Sequence, residues 1–394
     1  MAIFLEPFDA ADLALGVYSV NAGDEDELEL FLAKPLFAKQ KSSTKVNVQG
    51  PKILEAQVGG RIFRRAQDSF GLCARGDGLY RNHLFLVFRG TTEANNKADF
   101  VTDARIGITT SKAGLPVHIG FNQTFNSMLP EIREFVAGTD TTGPVHCIGH
   151  SLGGAVASLA ADWVSRNTSR AVKLYTFGAP RVGTDWFVKQ TTSSVGRENM
   201  YRVYHKTDPV PMVALYPFMQ APYGSSGHYI YSSEPLISGA AHAMTKYSDS
   251  VGSKSWEQVS DIPDQPYDLE AAVEGWLKSK SPIDSGSPAF WRWVDAALIY
   301  VVKKVLMGAV LLLQGAFVGI LTVADKLAII LERGLHLAEH ISLWVELLIR
   351  KLLVALGMKV EASKEAITRS LIRQVLVRLT EKANREARNA LRKL

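Results

Sequence analysis

Gly149-His150-Ser151-Leu152-Gly153, with Gly154 behind it, sets a serine between glycines. The run Val145-His146-Cys147-Ile148 before it reads as a buried strand, and the alanine-rich, proline-free stretch Ala155 to Asn167 after it reads as a helix. In that context the serine sits in a strained strand-to-helix turn that lifts its hydroxyl clear. The flanking glycines are required because a Cβ would strike neighbouring backbone. A serine hydroxyl is a weak nucleophile. It needs a base to take its proton, a third group to orient that base, and donors for the oxyanion that forms at an attacked carbonyl.

In doubly wound hydrolytic folds the chain order is Ser, then Asp or Glu, then His. After Ser151 the best acid is Asp208, in Tyr204-His205-Lys206-Thr207-Asp208-Pro209-Val210-Pro211, just past a predicted strand. Pro209 stops that strand and stiffens the loop. Two histidines compete for the role of base. His228 opens the strand-like run His228-Tyr229-Ile230-Tyr231, where a packing role is the commoner fate; His242 lies in a loop that opens a helix, within reach over the sheet edge. The reading favours His242. The backbone N–H of Leu152 and a donor from the loop Val87-Phe88-Arg89-Gly90-Thr91-Thr92, with Thr91 offering amide and hydroxyl, complete an oxyanion site.

The elements that must position these groups belong to a doubly wound α/β unit. Strands are predicted at 84–88, 145–148, 173–177, 200–204 and 229–231, and helices at 24–36, 120–137 and 152–167. Asp24-Glu25-Asp26-Glu27 reads as an acidic first turn rather than a metal site. With 394 residues, 47% of them hydrophobic, the chain is long enough for two units. Composition shifts to Pro, Ser, Asp and Gly between Asp261 and Ser287, so the expected division is 1–285 and 286–394. The net charge of +5 is uneven: residues 350–394 hold 12 Lys and Arg against 4 Asp and Glu. Only Cys73 and Cys147 occur, in apolar stretches, so no disulfide framework is expected.

The second unit reads as three helices separated at Gly334 and near Gly357. Val305 to Ala324 carries no charge and, as a helix, would extend about 30 Å, bilayer length. It also contains Gly315-x-x-x-Gly319, the small-residue spacing of close helix approach. A helix buried in protein gives the same pattern, so spanning and burial both stay open. The last helix sets Ile367, Leu371, Val375 and Leu379 on one side, and Arg378, Lys382, Arg385, Arg388 and Arg392 on another. Such a basic face suits anionic lipid headgroups or plain solvent. With no aromatic among its cations, it does not point to nucleic acid. His336-Leu337-Ala338-Glu339-His340 has the spacing of a zinc motif, but a polar stripe on an apolar helix is the simpler reading.

Val87-Phe88-Arg89-Gly90-Thr91, His118-Ile119-Gly120-Phe121, the serine turn, Thr176-Phe177-Gly178-Ala179-Pro180-Arg181-Val182-Gly183 and Asp208-Pro209-Val210-Pro211, in that order, resemble the class 3 lipases over roughly residues 80–250. The resemblance implies an α/β-hydrolase fold, a Ser151–Asp208–His242 triad, Thr91 and Leu152 at the oxyanion hole, and a lid in Glu93 to Asp103. That lid is polar here, against strong interfacial activation. The helical tail lies outside the family's common core. The expectation is a carboxylic-ester hydrolase of the lipase or phospholipase type, acting on lipids by acyl-enzyme chemistry without metal or organic cofactor. Residues 288–394 would contact the membrane, and a protein partner is left open. A membrane-inserting helical module on an idle hydrolase scaffold, and acyl transfer to an alcohol, are the alternatives. The amino terminus, Met1-Ala2-Ile3-Phe4-Leu5-Glu6-Pro7, lacks a basic n-region. It predicts no secretory signal, cytoplasmic synthesis with membrane association, and export only by a signal-independent route.

Overall fold

The computed structural model describes residues 3–21, 24–37, 51–58, 66–90, 107–138, 142–225, 227–259, 269–280, 284–308, 322–360 and 363–391. Its centre is a seven-stranded sheet whose spatial order follows the chain: β1 (Lys52–Val58), β2 (Ala66–Arg75), β3 (Leu84–Phe88), β4 (Val145–His150), β5 (Val172–Phe177), β6 (Met200–His205) and β7 (His228–Ile230). The first three are antiparallel and β3 through β7 run parallel. Every residue of β3, β4 and β5 is buried, as expected of parallel strands covered on both faces.

Alternation along β3 divides the cover. Leu84, Leu86 and Phe88 face the layer built by α3 (Ile119–Ala137) and α4 (Leu152–Asn167), whereas Phe85 and Val87 face α1 (Pro7–Gly16) and α2 (Glu25–Leu32). Asp24 caps α2 by accepting from the Glu27 N–H at 3.2 Å, the structural use of the acidic run. Helices α5 (Asp185–Val195), α6 (Met244–Val251) and α7 (Trp256–Val259) complete the unit. The antiparallel pair β1–β2 was not among the predicted strands: Gly71 sits in β2 because a Cβ there would lie 2.5 Å from the Val87 carbonyl, and such a glycine weakens the sequence signal for a strand.

A helix, α8 (Glu270–Lys278), occupies the stretch expected to be linker. It packs because Val273 and Leu277 enter the same apolar core as the helices that follow. These are α9 (Pro288–Gly308), α10 (Val323–Leu335), α11 (Glu339–Ala355) and α12 (Arg369–Leu391), four described helices where three were expected. The extra start is set by Thr322 and Asp325, which form a reciprocal capping box. Of the bilayer-length candidate Val305–Ala324, residues 309–321 lie outside the described residues, and its last two positions already belong to α10. Among the described residues, no helix is long and apolar enough to cross a membrane. The break expected at Gly334 is there: α10 ends at Leu335 and α11 starts at Glu339, and Gly334 itself is buried, where a Cβ would lie 2.5 Å from Val305 and 2.8 Å from Val345. His336 and Ala338 lie between α10 and α11, and Glu339 and His340 open α11, so the zinc-like spacing does not put its two histidines on one helix face.

The helices also share their core with the hydrolase unit. Val210, Val213 and Leu215 are buried together with Trp291, Leu298, Leu379 and Ala387. Lys351, on α11, donates from Nζ to the carbonyl and the hydroxyl of Ser279, satisfying the ammonium in an otherwise apolar setting.

Candidate active site

Ser151 leaves the carboxyl end of β4 with φ +56° and ψ −129°, a region that non-glycine residues rarely occupy. The surrounding glycines explain how the turn is tolerated. A Cβ on Gly149 would lie 2.3 Å from Gly153, one on Gly153 would lie 2.3 Å from the Phe88 carbonyl, and one on Gly154 would lie 2.6 Å from Ala179. The Ser151 N–H donates to the Phe177 carbonyl at 2.9 Å, tying the turn to β5.

The candidate acid and base reach the serine from two loops at the same sheet end. Asp208 follows β6, and His242 ends a 3-10 turn, Gly239–His242, ahead of α6. His242 Nε2 lies 2.8 Å from Ser151 Oγ, and His242 Nδ1 lies 2.7 Å from Asp208 Oδ2. Both side chains, and that of Ser151, are buried. Asp208 is held in turn: its Oδ1 accepts from the Val210 N–H at 2.8 Å and its Oδ2 from the Tyr247 hydroxyl at 2.6 Å. Burial, reinforced by that carboxylate, pushes the Tyr247 hydroxyl well above the ordinary tyrosine range. The structure therefore brings Ser151, Asp208 and His242 into one hydrogen-bonded line.

His228 is elsewhere. It opens β7, stacks over Tyr201 and lies beside Trp256, and burial next to Arg202 holds its imidazole down to about 4. Leu152 is the first residue of α4, and the first N–H groups of a helix have no partner within it, so an amide at that position is free to face an anion. Thr91 and the whole of Glu93–Asp103, the expected second donor and lid, lie outside the described residues.

Three supporting side chains were not singled out from the sequence. Tyr247 is one. The other two are His150, inside the serine turn, and Tyr18, from the segment after α1. His150 Nε2 donates to the His242 carbonyl at 2.8 Å, which leaves Nδ1 to accept from the Tyr18 hydroxyl at 2.6 Å. The Tyr18 oxygen accepts the Gly90 N–H at 3.0 Å. Burial, reinforced by the neighbouring His242, depresses His150 well below the ordinary histidine range and keeps it neutral, as this bonding requires. Gly90 tolerates the contact because it has no Cβ; one would lie 2.3 Å from the Tyr18 oxygen. A signal for His150 was available in its place beside the nucleophile. None existed for Tyr18, which is distant in sequence.

Among the described residues, no group of three or more His, Cys, Asp or Glu is arranged to hold a metal ion. The arrangement's chemistry is that of an activated hydroxyl with a buried proton acceptor.

Residues 85–218 match the family Lipase (class 3). The chain is 37% identical over 136 residues to secreted mono- and diacylglycerol lipase 1 of Fusarium solani, covering 33% of this chain and 39% of that protein. It is 31% identical over 172 residues to secreted mono- and diacylglycerol lipase A of Penicillium cyclopium, covering 42% of this chain and 52% of that one. The match thus takes in less than two thirds of either relative's length. The lipase of Rhizopus microsporus var. chinensis aligns over 58% of this chain and 73% of its own, with 21% identity and a TM-score of 0.39.

These relatives are named as secreted lipases, which overturns the expectation of cytoplasmic synthesis without a secretory route. The amino-terminal residues from Ile3 onward are built into the core. Leu5 is buried, its N–H donates to the Tyr175 hydroxyl at 2.9 Å, and its carbonyl accepts from Trp256 Nε1 at 2.7 Å. Residues 85–218 thus carry the class 3 lipase match, and the mostly parallel sheet around them is an α/β-hydrolase fold with added carboxy-terminal helices.

Proposed function

We propose that the chain is a serine carboxylic-ester hydrolase acting on lipid esters, with Ser151 as nucleophile, His242 as general base and acid, and Asp208 as the group that orients the imidazole. The observation that carries this is the buried line from Ser151 Oγ to His242 to Asp208, with separations of 2.8 and 2.7 Å. His242 removes the hydroxyl proton as Oγ attacks the ester carbonyl. The oxyanion then accepts from the Leu152 N–H and from Thr91, and His242 protonates the departing alcohol. Water activated by the same imidazole releases the fatty acid. A boundary near residue 285 is kept as a division of the sequence, with α8 before it packing against the helical unit.

Acylglycerol is the substrate class that the names of the fungal relatives favour, and phospholipid is the second. The basic face of α12, with Arg378 and Arg385 exposed, supports contact with an anionic lipid surface. The test measures fatty-acid release from diacylglycerol emulsions and phospholipid vesicles by the parent and by Ser151→Ala. Release should fall by about 10⁴-fold or more in the variant on whichever substrate is used. Equal release by both proteins would sink the proposal. Vesicle leakage that survives the substitution without any ester cleavage would favour a membrane-inserting helical module instead.

A further inference from the structure

The two catalytic loops are not free-standing. One face of each is covered by the helices that follow the hydrolase unit. α12 packs against the 3-10 turn Gly239–His242, which ends in the base, and against the 3-10 turn Val210–Met212, which follows the acid. The Val210 N–H donates to Asp208 Oδ1, while the Val210 side chain is buried in the core formed by α9 to α12. The same residue therefore orients the acid through its backbone and anchors in the helices through its side chain.

Further ties run along the same face. Ser238, which precedes the His242 turn, donates its N–H to the Thr207 carbonyl at 3.0 Å, and Ile237 donates to the Gly286 carbonyl at 3.1 Å. On α9, Asp295 accepts from Arg181 and from the Tyr216 N–H, while the Arg181 N–H donates to the Val213 carbonyl at 2.8 Å. Asp295 thereby clamps the segment that continues from the acid loop. Arg292, one turn earlier, donates to the Tyr204 hydroxyl at 2.8 Å. Ser151, in contrast, is fixed by strands and glycines of the hydrolase unit alone.

We infer that the carboxy-terminal helices are a positioning element of the catalytic site: they hold the Asp208 and His242 loops in register with Ser151, so hydrolysis depends on them even for a dissolved ester that needs no lipid surface. The inference rests on the triad reading above. It assigns the helices a role that membrane tethering alone does not include. A displacement of His242 on the order of 1 Å is enough to lower turnover substantially, because the base must stay within hydrogen-bond reach of the hydroxyl.

The experiment uses the full chain carrying Asp295→Ala, Asp295→Asn or Leu379→Ala. Turnover is measured on a short-chain p-nitrophenyl ester kept below its aggregation limit, with the labelling rate of Ser151 by a fluorophosphonate followed by intact mass. Folding is checked by circular dichroism. In folded protein, Asp295→Ala and Leu379→Ala should lower kcat and labelling about tenfold or more, with KM within about twofold, because positioning rather than binding is lost. Asp295→Asn keeps an acceptor oxygen for Arg181 and the Tyr216 N–H, and should lie nearer the parent. If Leu379→Ala does not fold, the Asp295 pair decides the matter, since that side chain lies at the interface rather than within the helical core. Parental kcat and labelling in folded Asp295→Ala would overturn the inference, even with vesicle hydrolysis lost, and would leave the helices as a tether. Parental activity in Ser151→Ala would instead remove the triad reading itself, and the inference would fall with it.

Discussion

The proposed nucleophile is held by the sheet, and the proposed acid and base by loops lying between that sheet and the added helices. Ser151 leaves β4 with β3 and β5 paired on either side, in a turn so crowded that three glycines are required around it. Asp208 and His242 sit on irregular backbone, and their support comes from single hydrogen bonds and from a core shared with α9 to α12. The difference teaches where tolerance lies. A strained residue on a buried parallel strand is over-determined by its neighbours, while a loop residue keeps its place only as long as each partner stays.

Asp208→Asn should break the loop side most severely. The carboxylate that receives His242 Nδ1 becomes an amide, the imidazole loses its fixed tautomer, and kcat should fall by about 10⁴-fold. Fluorophosphonate labelling of Ser151 is expected to slow in parallel. Unchanged labelling would mean that the serine is activated without the acid.

Acidification should act next, on the sheet side. An unfolded chain protonates His228 near the ordinary histidine value of about 6.5, whereas in the folded chain burial beside Arg202 holds it near about 4. Between those values the unfolded state binds more protons, so stability is present above the upper value and is lost as pH falls through the window. The loss from His228 reaches on the order of 3 kcal/mol at the lower end. His146, buried within β4 against His83, and His150 are likewise depressed and add in the same direction. Urea midpoints measured from pH 7 to pH 4 check this, and His228→Gln should flatten the slope. An unaltered slope in that variant would show that His228 is not one of the groups responsible.

The smallest of these effects separates the supports of the acid. Tyr247→Phe removes the 2.6 Å bond to Asp208 Oδ2 and leaves the Val210 N–H in place. A hydrogen bond to a charged group contributes about 1.5–3 kcal/mol, so kcat should drop by roughly ten- to a hundredfold at constant KM. A rise in KM with kcat intact would move Tyr247 from orienting the acid to shaping the substrate cleft.

The strands β3 to β6 and the helices after β3 and β4 were legible because buried parallel strands are continuous apolar runs, and α3 and α4 begin and end close to where periodicity placed them. The candidate residues Ser151 and Asp208 were legible for a different reason, since the chemistry restricts residue types and chain order restricts the choice; between His228 and His242 those two rules left both open and loop placement only favoured His242. β1 and β2 were missed, as was α8, whose Glu270–Lys278 run lies within a stretch that reads as linker. Tyr247 stands inside the segment that was read for His242, yet its hydroxyl acquires a role only when α6 folds back on β6.

By itself, the sequence determined the nucleophile turn, because the steric demand at Gly149, Gly153 and Gly154 is local and leaves a local signature. It also determined that an apolar helical unit follows, because helical periodicity is local too. Only the tertiary structure decided which histidine meets Ser151, that His150 and Tyr18 join Gly90 to the His242 backbone, and that the added helices cover the acid and base loops. The hydrogen bonds among them join groups 72 to 132 residues apart in the chain. No spacing rule along a sequence encodes such a distance; the packing of the layers sets it.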